Sequence, residues 1–182
     1  MTCIIGYAKD GRVYMGGDSA GVAGLDVTIR KDTKVFKVQK RFLIGYTSSF
    51  RMGQILRFKL KVTKQSKGQE DYGYMCTTFI DAVRKVLKDE GYTRISSNEE
   101  SVGTFLVGYN GRLYGVASDL QVAEGLDTYD TCGCGGKYAS GAMEILTTQR
   151  LDEDPKEKIR KALEVAVKFS GGVRPPFNIE VL

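Results

Sequence analysis

The chain has 182 residues, 42% hydrophobic and 27% charged, with a net charge of +5; these proportions exclude a disordered or collagen-like protein. It contains no histidine, so it cannot build a Ser-His-Asp triad, a Cys-His dyad or a zinc site that needs imidazole. Acid–base chemistry in this chain must come from other groups.

The length predicts one domain spanning residues 1–182, with a sizeable core. The basic residues gather at Lys31, Lys34, Lys37, Lys40 and Arg41, and again at Arg57, Lys59, Lys61, Lys64 and Lys67. Solvated strand and helix faces explain both groups, and nucleic acid is not an expected partner. Four cysteines (Cys3, Cys76, Cys132, Cys134) are too few for a disulfide scaffold, and no charged-then-apolar leader or membrane-length apolar run is present. A cytoplasmic protein without a membrane partner is expected. The pair Cys132 and Cys134 supplies two thiolates where a closed zinc site takes four ligands, so both read as buried small residues. No metal or cofactor is implied.

In chain order, Cys3–Ala8 and Arg12–Gly17 read as two strands joined by an Asp10-Gly11 turn. Further strands are predicted at Val27–Arg30, Lys34–Val38 and Phe42–Tyr46, where β-branched and aromatic residues concentrate. Ser48-Ser49 offers a cap for a helix with Met52, Ile55, Leu56 and Leu60 on its apolar face. A polar break at Lys64–Gly73 leads to a second helix, with Met75, Phe79, Ile80, Val83, Val86 and Leu87 at helical spacing and Gly91 as its stop. Strands return at Val102–Tyr109 and Leu113–Val116, followed by a helix near Tyr138–Leu146. The last helix starts at Asp154-Pro155, buries Ile159, Ala162, Leu163, Ala166 and Val167, and ends at Gly171-Gly172; Phe177–Leu182 closes the chain as a strand.

Strands, two helices, strands, two helices and a strand imply an α+β fold, with helix pairs flanking antiparallel sheets. An internal echo supports two stacked sheets. Ile5-Gly6-Tyr7 with Gly11-Arg12-Val13-Tyr14 is matched by Val107-Gly108-Tyr109 with Gly111-Arg112-Leu113-Tyr114.

Removal of Met1 makes Thr2 the first residue. A terminal threonine carries nucleophile and base together, because its hydroxyl lies within reach of its own α-amine, whose reference pKa is about 7.7–8.0. Asp18 follows the second strand and returns close to the chain start, and Lys34 opens what reads as a strand of the same sheet. A lysine there favours the alkoxide and lowers the amine pKa, while Asp18 keeps it charged and in place. Backbone N–H groups of Thr47-Ser48-Ser49, leading into a helix, are candidate oxyanion donors. Taken singly, Asp18 reads as a turn residue and Lys34 as a solvated lysine; their joint placement carries the signal.

Thr2-Cys3-Ile4-Ile5, Asp10-Gly11, Gly16-Gly17-Asp18 and Lys34-Val35 resemble the start of a proteasome β subunit, and more closely that of the bacterial HslV-type peptidase. In that family an aspartate follows the catalytic threonine after 16 positions and a lysine after 32, spacings that Asp18 and Lys34 match. Phe42–Tyr46 resembles the strand before the family's oxyanion turn, with Ser48 and Ser49 where glycine or alanine is usual. Gly133-Cys134-Gly135-Gly136 resembles a Gly-Ser-Gly-Gly turn, with Cys134 in the serine's place. Phe169-Ser170-Gly171-Gly172 resembles the Ser-Gly-Gly segment that puts Ser170 near the nucleophile, and Val167 stands where a proteasome has aspartate.

The resemblance implies a four-layer αββα sandwich, the N-terminal-nucleophile hydrolase fold. It implies a threonine peptidase acting on unfolded polypeptides through Thr2, with Asp18, Lys34 and Ser170 as the other site residues. It further implies homo-oligomeric stacked rings and an AAA+ ATPase unfoldase as partner. Two other readings share the fold: a catalytically silent ring or shell subunit, and a small-amide hydrolase. Cys3 is the alternative nucleophile, available only after loss of both Met1 and Thr2.

Overall fold

The computed structural model describes residues 1–149 and 153–182. The opening hairpin forms as the sequence predicts, with β1 (Ile4–Lys9) antiparallel to β2 (Arg12–Gly17). Asp10 and Gly11 both take positive φ (51° and 71°), the requirement of a tight turn whose twist matches the strands. Two further strands complete this first sheet in the order β12-β1-β2-β13, with β12 (Tyr129–Cys132) and β13 (Asn178–Val181) at its edges. The second sheet runs β11-β10-β9-β6-β5, built from β5 (Val35–Val38), β6 (Phe42–Tyr46), β9 (Phe105–Tyr109), β10 (Arg112–Val116) and the short β11 (Val122–Ala123).

Alternating side chains on these strands divide the interior into three apolar layers. Ile4, Val13 and Met15 of the first sheet meet Val35, Leu43, Leu106 and Leu113 of the second. On the outer face of the second sheet, Phe42, Ile44, Phe105 and Val107 pack under α1 (Phe50–Lys59) and α3 (Ile80–Asp89). On the outer face of the first, Ile5 and Tyr7 pack under α4 (Gly136–Thr148) and α5 (Pro155–Phe169). Three cores between four layers make the αββα sandwich.

The repeated hairpin motif explains how the sheets come so close. Leu113 fills the space a Cβ on Gly6 would need, its Cδ1 lying 2.5 Å from that position, and Val13 fills the space over Gly108 at 2.8 Å. Gly6 and Gly108 are equivalent residues of the two hairpins, as are Val13 and Leu113, so each hairpin plugs the other's glycine. Their turns also touch: a Cβ on Gly111 would approach the Gly11 carbonyl to 2.7 Å.

Several elements differ from expectation. The predicted Val27–Arg30 strand is β4 (Asp26–Ile29), and its partner β3 (Ala20–Ala23) was hidden by its small residues. The hairpin β7 (Arg94–Ser96) with β8 (Glu99–Ser101) is polar and carries no alternation to read. Strand β12 exists because β1 offers it an edge; its own sequence, Tyr-Asp-Thr-Cys, has no apolar run. The second helix begins earlier, as α2 (Asp71–Tyr74), and passes through a π-helical turn, Met75–Phe79, into α3. Lys34 sits just ahead of β5, at the edge of the second sheet, and not in the sheet of the opening hairpin. The helix starting at Pro155 is as predicted, with the Asp154 side chain accepting from the Lys156 N–H at 2.7 Å.

The reciprocal glycine fit is testable. Gly108→Ala forces a methyl against Val13 and is expected to cost about 1–3 kcal/mol by overpacking. The same change in a Val13→Ala background should cost clearly less, read as a non-additive double-mutant cycle in urea unfolding. Strict additivity would show that the two residues do not share this space.

Candidate active site

Strand β2 ends at Gly17 and delivers Asp18 to the boundary between the sheets, where the residue is 2% exposed. Its carboxylate is fully occupied. Oδ1 accepts from the Cys3 N–H at 3.0 Å and from Lys34 Nζ at 2.8 Å; Oδ2 accepts from the Ala20 N–H at 2.9 Å and the Arg174 N–H at 3.3 Å. Lys34 comes from the other sheet and its side chain is 1% exposed. Burial pushes the Lys34 ammonium below its usual pKa, and the facing carboxylate pulls it back up. The two expected residues therefore meet as a buried ion pair that joins the sheets.

Thr2 lies just ahead of β1, buried at 4% exposure, and shares a small cleft with Lys34, Tyr46, Ser48 and Phe50. Its N–H donates to Cys134 Sγ at 3.3 Å, and its hydroxyl donates to the Met1 carbonyl at 2.5 Å. The Gly133–Gly136 turn wraps its peptide group. Gly135 N–H donates to the Thr2 carbonyl at 3.1 Å, and Gly133, at φ 97°, leaves no room for a side chain, since a Cβ there would lie 2.2 Å from that oxygen. Met1 packs over Gly172, where a Cβ would meet its own at 2.2 Å.

Ser170 caps α5 at its C-terminal end, and its Oγ lies 3.3 Å from Cys134 Sγ. The thiol thus bridges Thr2 and Ser170. Cys134 is exposed, contrary to its reading as a buried residue, because the turn that carries it opens to the surface; Cys132, two residues earlier at the end of β12, is buried as expected. Val167 contributes only packing against the helix-side core, so no carboxylate approaches Ser170 from that position. Arg174, which no motif signals, occupies this region: its guanidinium donates to the Ser170 and Val173 carbonyls at 3.2 and 2.7 Å, while its backbone N–H reaches Asp18.

Of the three expected oxyanion donors, two are committed. Thr47 N–H donates to the Thr104 carbonyl and Ser49 N–H to the Thr47 carbonyl, leaving Ser48 N–H as the donor without a partner among the described residues. Ser48 holds φ 72°, a left-handed conformation unusual for serine, stabilised where its Oγ accepts from the Thr104 N–H at 3.2 Å. Ser49 caps α1 by accepting from the Arg51 N–H.

Cys3 is fully buried, and desolvation, with smaller contributions from Asp18 and Cys134, pushes its thiol up to about 12 against the opposing pull of Lys34. With Met1 and Thr2 attached, this thiol is held protonated and sealed from solvent. Tyr46 is likewise pushed up, chiefly by burial, and stays a neutral phenol. Among the described residues no group of three metal-ligating side chains gathers, and no helix is long and apolar enough to cross a membrane.

No family model and no curated protein matches the chain. Solved structures do. The Thiobacillus denitrificans BPH structure in complex with epoxomicin superposes with a TM-score of 0.81 at 20% identity, over 100% of this chain and 98% of that one. HslV from Trypanosoma brucei gives 0.71 at 19% identity, over 100% and 99%. A Gly-1 mutant of Anbu from Hyphomicrobium sp. strain MC1 gives 0.68 at 16% identity, over 98% and 80%. The fold is that of the proteasome β and HslV-type N-terminal-nucleophile hydrolases, in agreement with the sequence resemblance.

Asp18→Ala leaves the Lys34 ammonium buried and unpaired, and is expected to destabilise the fold by about 3–5 kcal/mol. Adding Lys34→Met should restore a large part of that loss, measured as the shift in urea midpoint. A loss below about 1 kcal/mol for Asp18→Ala would mean that the pair is not desolvated as described.

Proposed function

We propose that the chain is a threonine peptidase of the proteasome β and HslV type, hydrolysing peptide bonds in unfolded polypeptides through Thr2 once Met1 is removed. One domain spanning residues 1–182 carries the whole machinery. The observation that carries the reading is that Thr2 and Lys34 line one cleft, with Lys34 held from behind by the buried Asp18, at sequence spacings of 32 and 16 from Thr2.

While Met1 is attached, the Thr2 nitrogen is an amide and has no basic lone pair. Its removal creates an α-amine where the amide now donates to Cys134. The Thr2 hydroxyl then attacks the scissile carbonyl carbon as its proton passes to the α-amine. Lys34, beside the nucleophile, stabilises the developing alkoxide and holds the amine pKa down by like-charge repulsion. The carbonyl oxygen becomes the tetrahedral oxyanion facing the Ser48 N–H.

As the C–N bond breaks, the amine returns its proton to the leaving nitrogen, and an ester on Thr2 remains. Water, deprotonated by the same amine, attacks that ester; as the C–Oγ bond breaks the amine returns the proton to Oγ, restoring the hydroxyl and releasing the carboxyl product. Asp18 keeps Lys34 charged and placed, and Ser170, through Cys134, positions the amine. No histidine is required at any step.

The same reading places the enzyme in the cytoplasm as homo-oligomeric stacked rings, supplied with unfolded chains by an AAA+ ATPase. Its support is the likeness in fold to HslV.

Purified, processed protein should cleave unstructured fluorogenic peptides, and Thr2→Ala should lose at least about a thousandfold in kcat while keeping the wild-type unfolding midpoint. Thr2→Ser should retain measurable turnover. A Thr2→Ala protein as active as wild type would remove Thr2 from the mechanism. Protein that assembles, keeps Met1 and never turns over would instead favour the silent subunit, for which the departures at Val167 and Cys134 speak.

A further inference from the structure

Behind the Ser48-Ser49 turn lies a pocket of about 250 Å³ that the mechanism above does not use. It is lined by Ser48, Ser49, Tyr92, Arg94, Ser101 and Val102. Ser48 and Ser49 also line the cleft of Thr2 and Lys34, so the two spaces share this two-residue wall.

The chemistry of the lining has one sign. Arg94 is its only charged residue, and four of its six residues carry hydroxyls. Arg94 and Ser101 are directly paired across the β7–β8 hairpin and therefore present their side chains on the same face. Among the described residues Arg94 forms no ion pair. The nearby acids are taken: Glu100, paired with Ile95 on the opposite face, is held by Arg84 and Lys88, and Glu90 by Arg51 and Lys59. Glu99 alone lies on the Arg94 face without an ion pair, further out towards the hairpin tip. The hydroxyls of Ser48 and Ser49 accept backbone N–H groups, which leaves their own protons free to be donated. The first turn of α1, which starts at this wall, contains no acidic residue to offset the positive end of its dipole.

We propose that this pocket is a second substrate subsite that selects an acidic side chain, aspartate or glutamate, one to three residues from the bond cleaved at Thr2. The inference rests on the peptidase reading and adds a specificity to it. In an extended peptide, successive residues advance about 3.4 Å and alternate sides, so a chain whose scissile carbonyl faces Ser48 carries a neighbouring side chain over the wall. There its carboxylate meets the Arg94 guanidinium and the serine hydroxyls, a charge-assisted arrangement.

The test uses peptides carrying glutamate or glutamine at each position flanking the cleavage point, with binding measured on the inert Thr2→Ala protein by fluorescence anisotropy. At one position glutamate should bind about three- to tenfold tighter than glutamine, with the advantage shrinking as salt rises. Arg94→Gln should erase the preference and Arg94→Glu should transfer it to lysine; both substitutions lie on an exposed hairpin and leave the unfolding midpoint unchanged. Equal binding at every position, or a preference that survives Arg94→Gln, overturns the subsite. Turnover of the same peptides by processed wild-type protein is scored separately. Cleavage without any preference refutes the subsite alone, whereas absence of all cleavage refutes the peptidase reading and leaves the binding result to decide the pocket.

Discussion

A carboxylate and an ammonium removed from water at the junction of two sheets set the terms for everything around them. The desolvation of Asp18 and Lys34 is tolerable only because the carboxylate receives four donors, three of them backbone N–H groups from three different segments. Those segments are the start of β1, the exit of β2 and the chain beyond α5. Satisfying one charge therefore fixes the position of Cys3, and with it the direction in which Thr2 emerges. Structural and chemical demands coincide here: the pair that locks the sheets together also holds a cation beside the candidate nucleophile.

The sandwich supplies the rigidity this arrangement needs. Because Val13 and Leu113 occupy each other's hairpin glycine, the sheets approach without a gap and cannot slide by one residue without a clash. Asp18 follows the last residue of β2 in one sheet and Lys34 precedes the first residue of β5 in the other. The Gly133–Gly136 turn then closes over Thr2 from the edge strand β12, so that the N–H and the carbonyl of Thr2 are both held.

Much of this was legible in the sequence because the informative signals were local. The Asp10-Gly11 turn, the Asp154-Pro155 helix start and the apolar alternation of Phe42–Tyr46 each state their own conformation. The candidate site residues were picked out by fixed spacing and family resemblance, and the structure brings Asp18 to Lys34 and Thr2 to the Lys34 cleft. What stayed hidden depended on neighbours. Strand β12 exists only by pairing with β1, the exposure of Cys134 follows from the turn that presents it, and Arg174 acts through its backbone, which no side-chain pattern records. Lys34 was placed near Asp18 correctly but on the wrong sheet, since a strand-like run does not reveal which partner it will find. The polar hairpin bearing Arg94 has no apolar periodicity at all.

Two of the departures from the resembled pattern give the candidate site its own character. A thiol stands between the Thr2 nitrogen and Ser170, and Ser48 holds a left-handed position in the turn before α1. Neither disturbs the fold; both bear on whether Thr2 becomes a working nucleophile. The most direct measurement is the intact mass of the purified protein before and after exposure to a peptide epoxyketone, a reagent that requires a hydroxyl and a free amine on the same terminal residue. The account predicts a mass short of one methionine that then gains one inhibitor per chain. Retention of Met1 with no adduct would contradict it.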